Sequence, residues 1–171
     1  QSYIFVANHQ STYDIPPLIW YLRKAYPTFV GKKELGKGIP SISFNLRNGS
    51  AVLIDRKNPK QALKDIKAFG EKLAITNSSI VIFPEGTRSN SANPSAFRLG
   101  GLKQLIDAMP EAKLVGITIN NSWKLSRYGY FPMGVGAKIT LKMHPPVDCP
   151  SDQVAETLEQ LEKTITAAIN P

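Results

Sequence analysis

Apolar residues follow two rhythms along this chain, short unbroken runs and longer stretches repeating every three to four positions, and the two alternate. Tyr3-Ile4-Phe5-Val6-Ala7 is the first unbroken run; Ala51-Val52-Leu53-Ile54 and Ile80-Val81-Ile82-Phe83 repeat its form. Such short runs, bounded by polar residues, read as strands buried on both faces. Thr28 to Gly31 and Lys113 to Ile119 add two more, and Ala137 to Met143 alternates as a half-buried strand does. Between them, Ala62, Ile66, Phe69 and Leu73 are spaced by four, three and four within residues 59–75, which predicts an amphipathic helix with its lysines on the wet face. Ser11 or Thr12 caps an earlier helix carrying Ile15, Leu18, Ile19 and Leu22, its prolines confined to the first turn. Leu99 to Met109 forms another, and Ser151 caps a last one with Val154, Leu158, Leu161 and Ile165 along one face. Gly36 to Asn48, with its glycine, proline and serine, reads as a loop holding a short helix.

Strands that alternate with helices predict an α/β fold: one domain over residues 1–171, with a mainly parallel central sheet flanked by helices. Four strands are followed at once by polar residues: His9, Asp55-Arg56, Glu85 to Arg88, and Asn120-Asn121. In a parallel sheet these carboxyl ends share one edge, where open α/β sheets bind their ligands. His9 and Glu85, distant in sequence, then reach a common cleft, which is where an active site is expected.

Two stretches on that edge carry chemistry. Asn8-His9-Gln10-Ser11-Thr12-Tyr13-Asp14 places a histidine shortly before a carboxylate across a strand-to-helix turn. A carboxylate can fix the tautomer of an imidazole and stabilise the imidazolium formed when it takes a proton. The plainer reading of the same residues is a helix start, with Asp14 completing a capping box with Ser11. Phe83-Pro84-Glu85-Gly86-Thr87-Arg88-Ser89 supplies a glycine, which lets backbone N–H groups approach an oxyanion, and an arginine fork that fits phosphate. Alone it would be a turn with solvated charges. Together the two stretches point to an enzyme acting on a hydroxyl of a phosphorylated substrate.

Composition narrows the partners. Lysine and arginine outnumber acids 21 to 13, giving a net charge of +8 that favours phosphorylated metabolites, an acidic carrier protein, anionic lipid or nucleic acid. Cys149 is the single cysteine, so no internal disulfide and no cysteine-based metal site form, and a reducing compartment fits. No apolar run reaches the roughly 18 residues that span a bilayer. Gln1 is not an initiator methionine and the first strand begins almost at once, so an N-terminal anchoring segment is expected to be missing. His144 reads as a strand-end histidine, and Trp20, Tyr21 and Tyr26 as core or interface residues with a membrane boundary as the alternative. Trp123, Tyr128, Tyr130 and Phe131 mark an aromatic loop, packed or facing lipid.

Asn8-His9-x4-Asp14 with Phe83-Pro84-Glu85-Gly86-Thr87-Arg88 resembles the glycerolipid acyltransferase family, which includes the glycerol-3-phosphate and 1-acylglycerol-3-phosphate O-acyltransferases. Gly49-Ser50-Ala51-Val52-Leu53-Ile54-Asp55-Arg56 is similar to that family's second block, and Lys33-Glu34-Leu35 to its Lys-Glu-Leu triplet. The fourth block departs: Gly116, in Leu114-Val115-Gly116-Ile117, stands where the family usually has proline, which leaves acyl-chain or acceptor preference open. The resemblance implies that His9 is the general base and Asp14 its orienting partner. It implies that Arg88 and Arg56, with Lys33 as a further candidate, bind the acceptor's phosphate, while Glu85, Gly86 and Thr87 shape the pocket. The acyl group would pass directly from acyl-CoA or acyl carrier protein to a lysophospholipid hydroxyl. 1-Acylglycerol-3-phosphate, giving phosphatidic acid, is the favoured acceptor. No metal and no bound cofactor is implied, and the expected location is the cytoplasmic face of an anionic membrane. Other lysolipids such as a lyso-aminolipid, a non-catalytic lipid-binding role, and a basic nucleic-acid-binding domain are the rival readings.

Overall fold

The computed structural model describes residues 1–33, 51–55, 57–129 and 132–170. Six strands among them form one sheet in the order β3-β2-β4-β1-β5-β6: β1 Tyr3–Ala7, β2 Pro27–Lys32, β3 Ala51–Ile54, β4 Ser79–Ile82, β5 Lys113–Asn120 and β6 Thr140–Met143. The first five run parallel, with β1 between β4 and β5, and β2 between β3 and β4. Only β6 is antiparallel, paired along β5 from Ile117↔Met143 to Asn120↔Thr140. The alternating pattern expected from Ala137 onward therefore shortens to the residues that pair with β5.

Because side chains on a strand point alternately to opposite faces, each apolar run feeds two cores. Ile4, Val6, Ile80, Ile82 and Leu114 face three helices: α2 Pro59–Thr76, α3 Leu99–Ala108 and α4 Val154–Ala167. Phe5, Ala7, Val81, Val115 and Ile117 face the opposite way, onto Leu18 and Leu22 of α1, Ile15–Leu22. The strands look continuously hydrophobic because both of their faces are covered.

Local chemistry sets where the helices begin. Ser11 accepts a hydrogen bond from the Tyr13 amide and forms a capping box with Asp14 at the start of a 3-10 turn, Thr12–Asp14, that runs into α1. Within α1, Leu18 and Leu22 are buried, whereas Ile19, grouped with them by spacing, is half exposed. The Asn58 side chain caps α2 and Pro59 opens it. The expected cap at Ser151 is absent: α4 starts at Val154, with Gln153 at the cap position and no side-chain bond there. Residues 151–153 instead turn on a Gln153 amide bond to the Pro150 carbonyl at 3.0 Å. The loop expected between Gly36 and Asn48 lies outside the described residues.

Gly116 has a packing explanation. A Cβ there would sit 3.0 Å from Leu161 Cδ1 and 3.1 Å from Ile165 Cγ1, so glycine lets α4 lie close against β5. This contact is on the three-helix side of the sheet, away from α1. Beside it, buried His144 pairs through Nε2 with Thr118 Oγ1 at 2.8 Å, and Thr118 donates to the Ile165 carbonyl at 3.0 Å. His144 is thus a strand-end residue as expected, and it has a partner in Thr118 that the sequence did not signal.

Candidate active site

The chain leaves β1 through Asn8, whose side chain extends the ladder to β5 by two bonds. Its Nδ2 donates to the Ile119 carbonyl at 2.9 Å, and its Oδ1 accepts from the Ile119 amide at 2.7 Å. This fixes where the next residue begins. His9 lies just past the strand, its ring stacked on Phe83 with 4.1 Å between centroids. Its Nδ1 is 2.7 Å from Asp14 Oδ2, and its side chain is 15% exposed, so the ring still reaches solvent. With Nδ1–H directed at the carboxylate, the lone pair is on Nε2, the nitrogen able to accept a proton.

Asp14 is fully buried. Its Oδ2 also accepts from the Gln10 amide at 2.8 Å and the Ser11 amide at 3.0 Å. The capping box and the contact with His9 thus coexist in Asp14: the carboxylate that starts the helix also holds the imidazole. Its other oxygen, Oδ1, accepts from the Ser122 hydroxyl.

Glu85 follows β4 and is buried at 1% exposure. Oε1 accepts from the His9 amide and Oε2 from the Ser95 amide, each at 2.7 Å. Burial raises its pKa above the ordinary carboxylate value, and the His9 and Ser95 amides oppose that rise. Through these two bonds Glu85 ties the backbone at His9 to the backbone at Ser95. Ser89 and Asn90 complete the attachment, their amides donating to the carbonyls of His9 at 2.8 Å and Gln10 at 3.1 Å. Gly86 turns the segment in the left-handed region at φ +71°, a conformation glycine adopts without a Cβ clash. The Arg98 side chain lies alongside it, Nη1 being 3.6 Å from where a Cβ on Gly86 would stand.

Arg88 is exposed, and its guanidinium donates to Oγ1 of Thr12, the first residue of the 3-10 turn that holds Asp14. Thr87 is exposed between Gly86 and Arg88. Lys33 stands exposed just beyond the carboxyl end of β2, two strands from β1 on the same edge. Arg56 lies outside the described residues. The structure thus gathers His9, Asp14, Glu85, Gly86, Thr87 and Arg88 at one place. Sequence reasoning missed Ser122 and Gln10, which belong to the same buried network, and Arg98. Ser122 is 108 positions from Asp14 and had no local signal, whereas Arg98 could have been noticed as a basic residue directly before a helix.

An apolar groove of about 350 Å³ runs along the α1 side of the sheet, lined by Leu18, Tyr21, Leu22, Ile139, Leu141 and Met143. Beside it Trp20, Tyr21 and Tyr26 are 64%, 68% and 75% exposed, so they are solvent-facing and not core. Arg23 stacks over Trp20 at 4.6 Å. Tyr128 is also exposed, and Tyr130 and Phe131 lie outside the described residues. Among the described residues no cluster of histidine, cysteine and carboxylates fits a metal, and no helix is long and apolar enough to cross a membrane. Half-buried Cys149 has its thiol pKa raised by burial, the opposite of what an attacking thiolate needs.

Residues 1–120 match the family model described as Acyltransferase. This chain belongs to the glycerolipid acyltransferase family. A Helicobacter pylori relative named 1-acyl-sn-glycerol-3-phosphate acyltransferase is 35% identical over 133 residues, covering 73% of this chain and 54% of the relative. A coconut protein of the same name is 28% identical, over 84% of this chain and 45% of its own length. Among solved structures, the 1-acyl-sn-glycerophosphate acyltransferase PlsC of Thermotoga maritima superposes with a TM-score of 0.74 at 28% identity. That match covers 99% of this chain and 65% of PlsC. The chain therefore spans about half to two thirds of the length of these acyltransferases.

Proposed function

We propose that the protein transfers a fatty acyl group from a thioester, acyl-CoA or acyl carrier protein, to the free hydroxyl of 1-acylglycerol-3-phosphate. The observation that carries this reading is the contact between His9 Nδ1 and buried Asp14, which leaves Nε2 as the base on an edge that also bears Arg88. His9 Nε2 removes the acceptor's hydroxyl proton as the oxygen attacks the thioester carbonyl. The C–S bond breaks as the C–O ester bond is completed, and the proton passes from His9 to the departing thiolate. Asp14 stabilises the imidazolium in between. Arg88 holds the acceptor's phosphate, with Arg56 and Lys33 as further cations for it, and the Glu85-Gly86-Thr87 turn sets the position of Arg88.

The apolar groove beside α1 supports an aliphatic substrate. The names carried by the similar acyltransferases support the phosphorylated acceptor. Exposed Trp20, Tyr21 and Tyr26 next to Arg23 and Lys24 support association with an anionic membrane surface. Co-sedimentation with anionic but not zwitterionic vesicles is the expected result, and equal failure with both would remove that part of the reading.

The deciding experiment measures thiol release from acyl-CoA with 1-acylglycerol-3-phosphate and with its phosphate-free analogue. General-base catalysis is worth about 10²- to 10⁴-fold, so His9→Ala should remove most turnover while the protein stays folded. A charge-assisted bond contributes roughly 1.5–3 kcal/mol, so Arg88→Ala should weaken use of the phosphorylated acceptor about 10- to 150-fold and leave the analogue unaffected. Equal use of both acceptors by the parent protein, or near-parental turnover by His9→Ala, would refute the proposal.

A further inference from the structure

We infer that Ser122 is a positioning residue for the reaction, so that the working unit is Ser122–Asp14–His9 and not the histidine and carboxylate alone. The inference rests on His9 acting as the base and adds to that reading a component from the carboxyl end of the neighbouring strand, β5.

Ser122 follows β5. Asn121 turns the chain in the left-handed region at φ 67°, and Ser122 opens the 3-10 turn Ser122–Ser126, which lies against the turn Thr12–Asp14. Its side chain is fully buried, like that of Asp14. The two oxygens of Asp14 are unequally served. Oδ2 receives His9 Nδ1 and the amides of Gln10 and Ser11, whereas the Ser122 hydroxyl is the donor to Oδ1 among the described residues. Rotation about the bond to a carboxylate has only a broad, shallow preference of its own. Donors on both oxygens are what fix its plane, and that plane sets the line along which Oδ2 meets the imidazole.

The hydroxyl is not needed to hold the chain together at this point. The Ser122 amide donates to Gln10 Oε1 at 3.1 Å, and Asn8 makes its two bonds to Ile119, three residues earlier. Both connections survive truncation at Cβ. The Oγ–Gln10 Oε1 distance of 3.4 Å is the longer of the two open to the hydroxyl, so its proton goes to Asp14. Ser122→Ala thus removes one donor from a buried, charged acceptor and leaves the backbone connections in place.

The test compares kcat and KM for thioester consumption in the whole protein and its Ser122→Ala, Ser122→Thr and Asp14→Asn variants, with melting curves for each. Loss of one hydrogen bond to a charged group predicts a fall of about tenfold in kcat for Ser122→Ala, with KM for both substrates within about twofold. Ser122→Thr keeps the hydroxyl and recovers most of the loss. Should the extra methyl prevent folding, the double variant decides instead. Once Asp14 is asparagine, adding Ser122→Ala should cost far less than tenfold, because the bond to a charged oxygen is already gone. Parental kcat in a folded Ser122→Ala protein would overturn the inference. So would a loss confined to KM, or losses that multiply in the double variant. If His9→Ala is inactive while Ser122→Ala is parental, only this inference fails; if His9→Ala is itself active, the assignment of the base fails first.

Discussion

In Asp14→Asn the side chain keeps its volume and loses its charge, and the surrounding donors dictate how the amide must sit. Three donors converge on Oδ2: His9 Nδ1 at 2.7 Å, the Gln10 amide at 2.8 Å and the Ser11 amide at 3.0 Å. An NH₂ group in that place would leave several buried donors unpaired, at roughly 1–3 kcal/mol each. The amide oxygen therefore takes the Oδ2 position and the NH₂ turns to Ser122. The Ser122 hydroxyl can accept there by swinging its own proton toward Gln10 Oε1, 3.4 Å away. His9 keeps Nδ1–H directed at oxygen and Nε2 as its base, and only the stabilisation of the imidazolium by a full negative charge is lost. Taking that as one charge-assisted bond, roughly 1.5–3 kcal/mol, kcat should fall about 10- to 150-fold. A Ser-His-Asp triad in which the same change imposes the wrong tautomer loses about 10⁴-fold, so the two outcomes are well separated. Initial rates of thiol release at saturating acceptor measure the difference. A kcat within about threefold of the parent would deny the charge any role, and a loss near 10⁴ would mean that the amide sits the other way round.

Two further outcomes follow from the opposite side of the sheet. Gly116→Val forces side-chain atoms into the space of Leu161 and Ile165, which already lie 3.0 and 3.1 Å from a Cβ at this position. Overpacking of about 1–3 kcal/mol should lower the melting temperature by several degrees with acceptor preference unchanged; altered preference at an unaltered melting temperature would contradict this. Burial, and secondarily Lys142, hold the pKa of His144 below its ordinary 6.5, so the unfolded chain takes up this proton before the folded one. The associated stability is complete above pH 6.5 and is lost as pH falls toward the folded value. The urea midpoint of the parent should therefore decline more steeply than that of His144→Gln between roughly pH 7 and 5, and parallel declines would rule it out.

What could be read from the sequence was whatever local pattern determines. The runs ending at Ala7, Ile54 and Ile82 appear as strands because both faces are buried, and the polar residues after them fall on one edge because the strands are parallel. His9, Asp14 and the Glu85–Arg88 turn were visible for the same reason. The errors have local causes too. Ser151 is a good cap by type, but the turn closed by Gln153 delays the helix to Val154. Trp20, Tyr21 and Tyr26 read as core or interface residues by type; α1 is short and buries only the stripe of Leu18 and Leu22, so only the core half of that reading fails. The packing of Gly116 against α4 has no signal in the sequence and shows only with Leu161 and Ile165 laid over it. Ser122 could not be found at all by spacing, since its link to Asp14 exists only once β5 lies beside β1. The aromatic loop showed itself as a composition feature, with its packing left undetermined by pattern.

The double attachment of Glu85 has a mechanical consequence. One rigid carboxylate grips the peptide nitrogen of His9 with one oxygen and that of Ser95 with the other, so two stretches of irregular chain are riveted across a distance of a few atoms. Neither can loosen without straining the other, and disorder introduced near Ser95 would be felt at His9 through Glu85. The segment that carries Arg88 and the segment that carries His9 therefore come into register together or not at all.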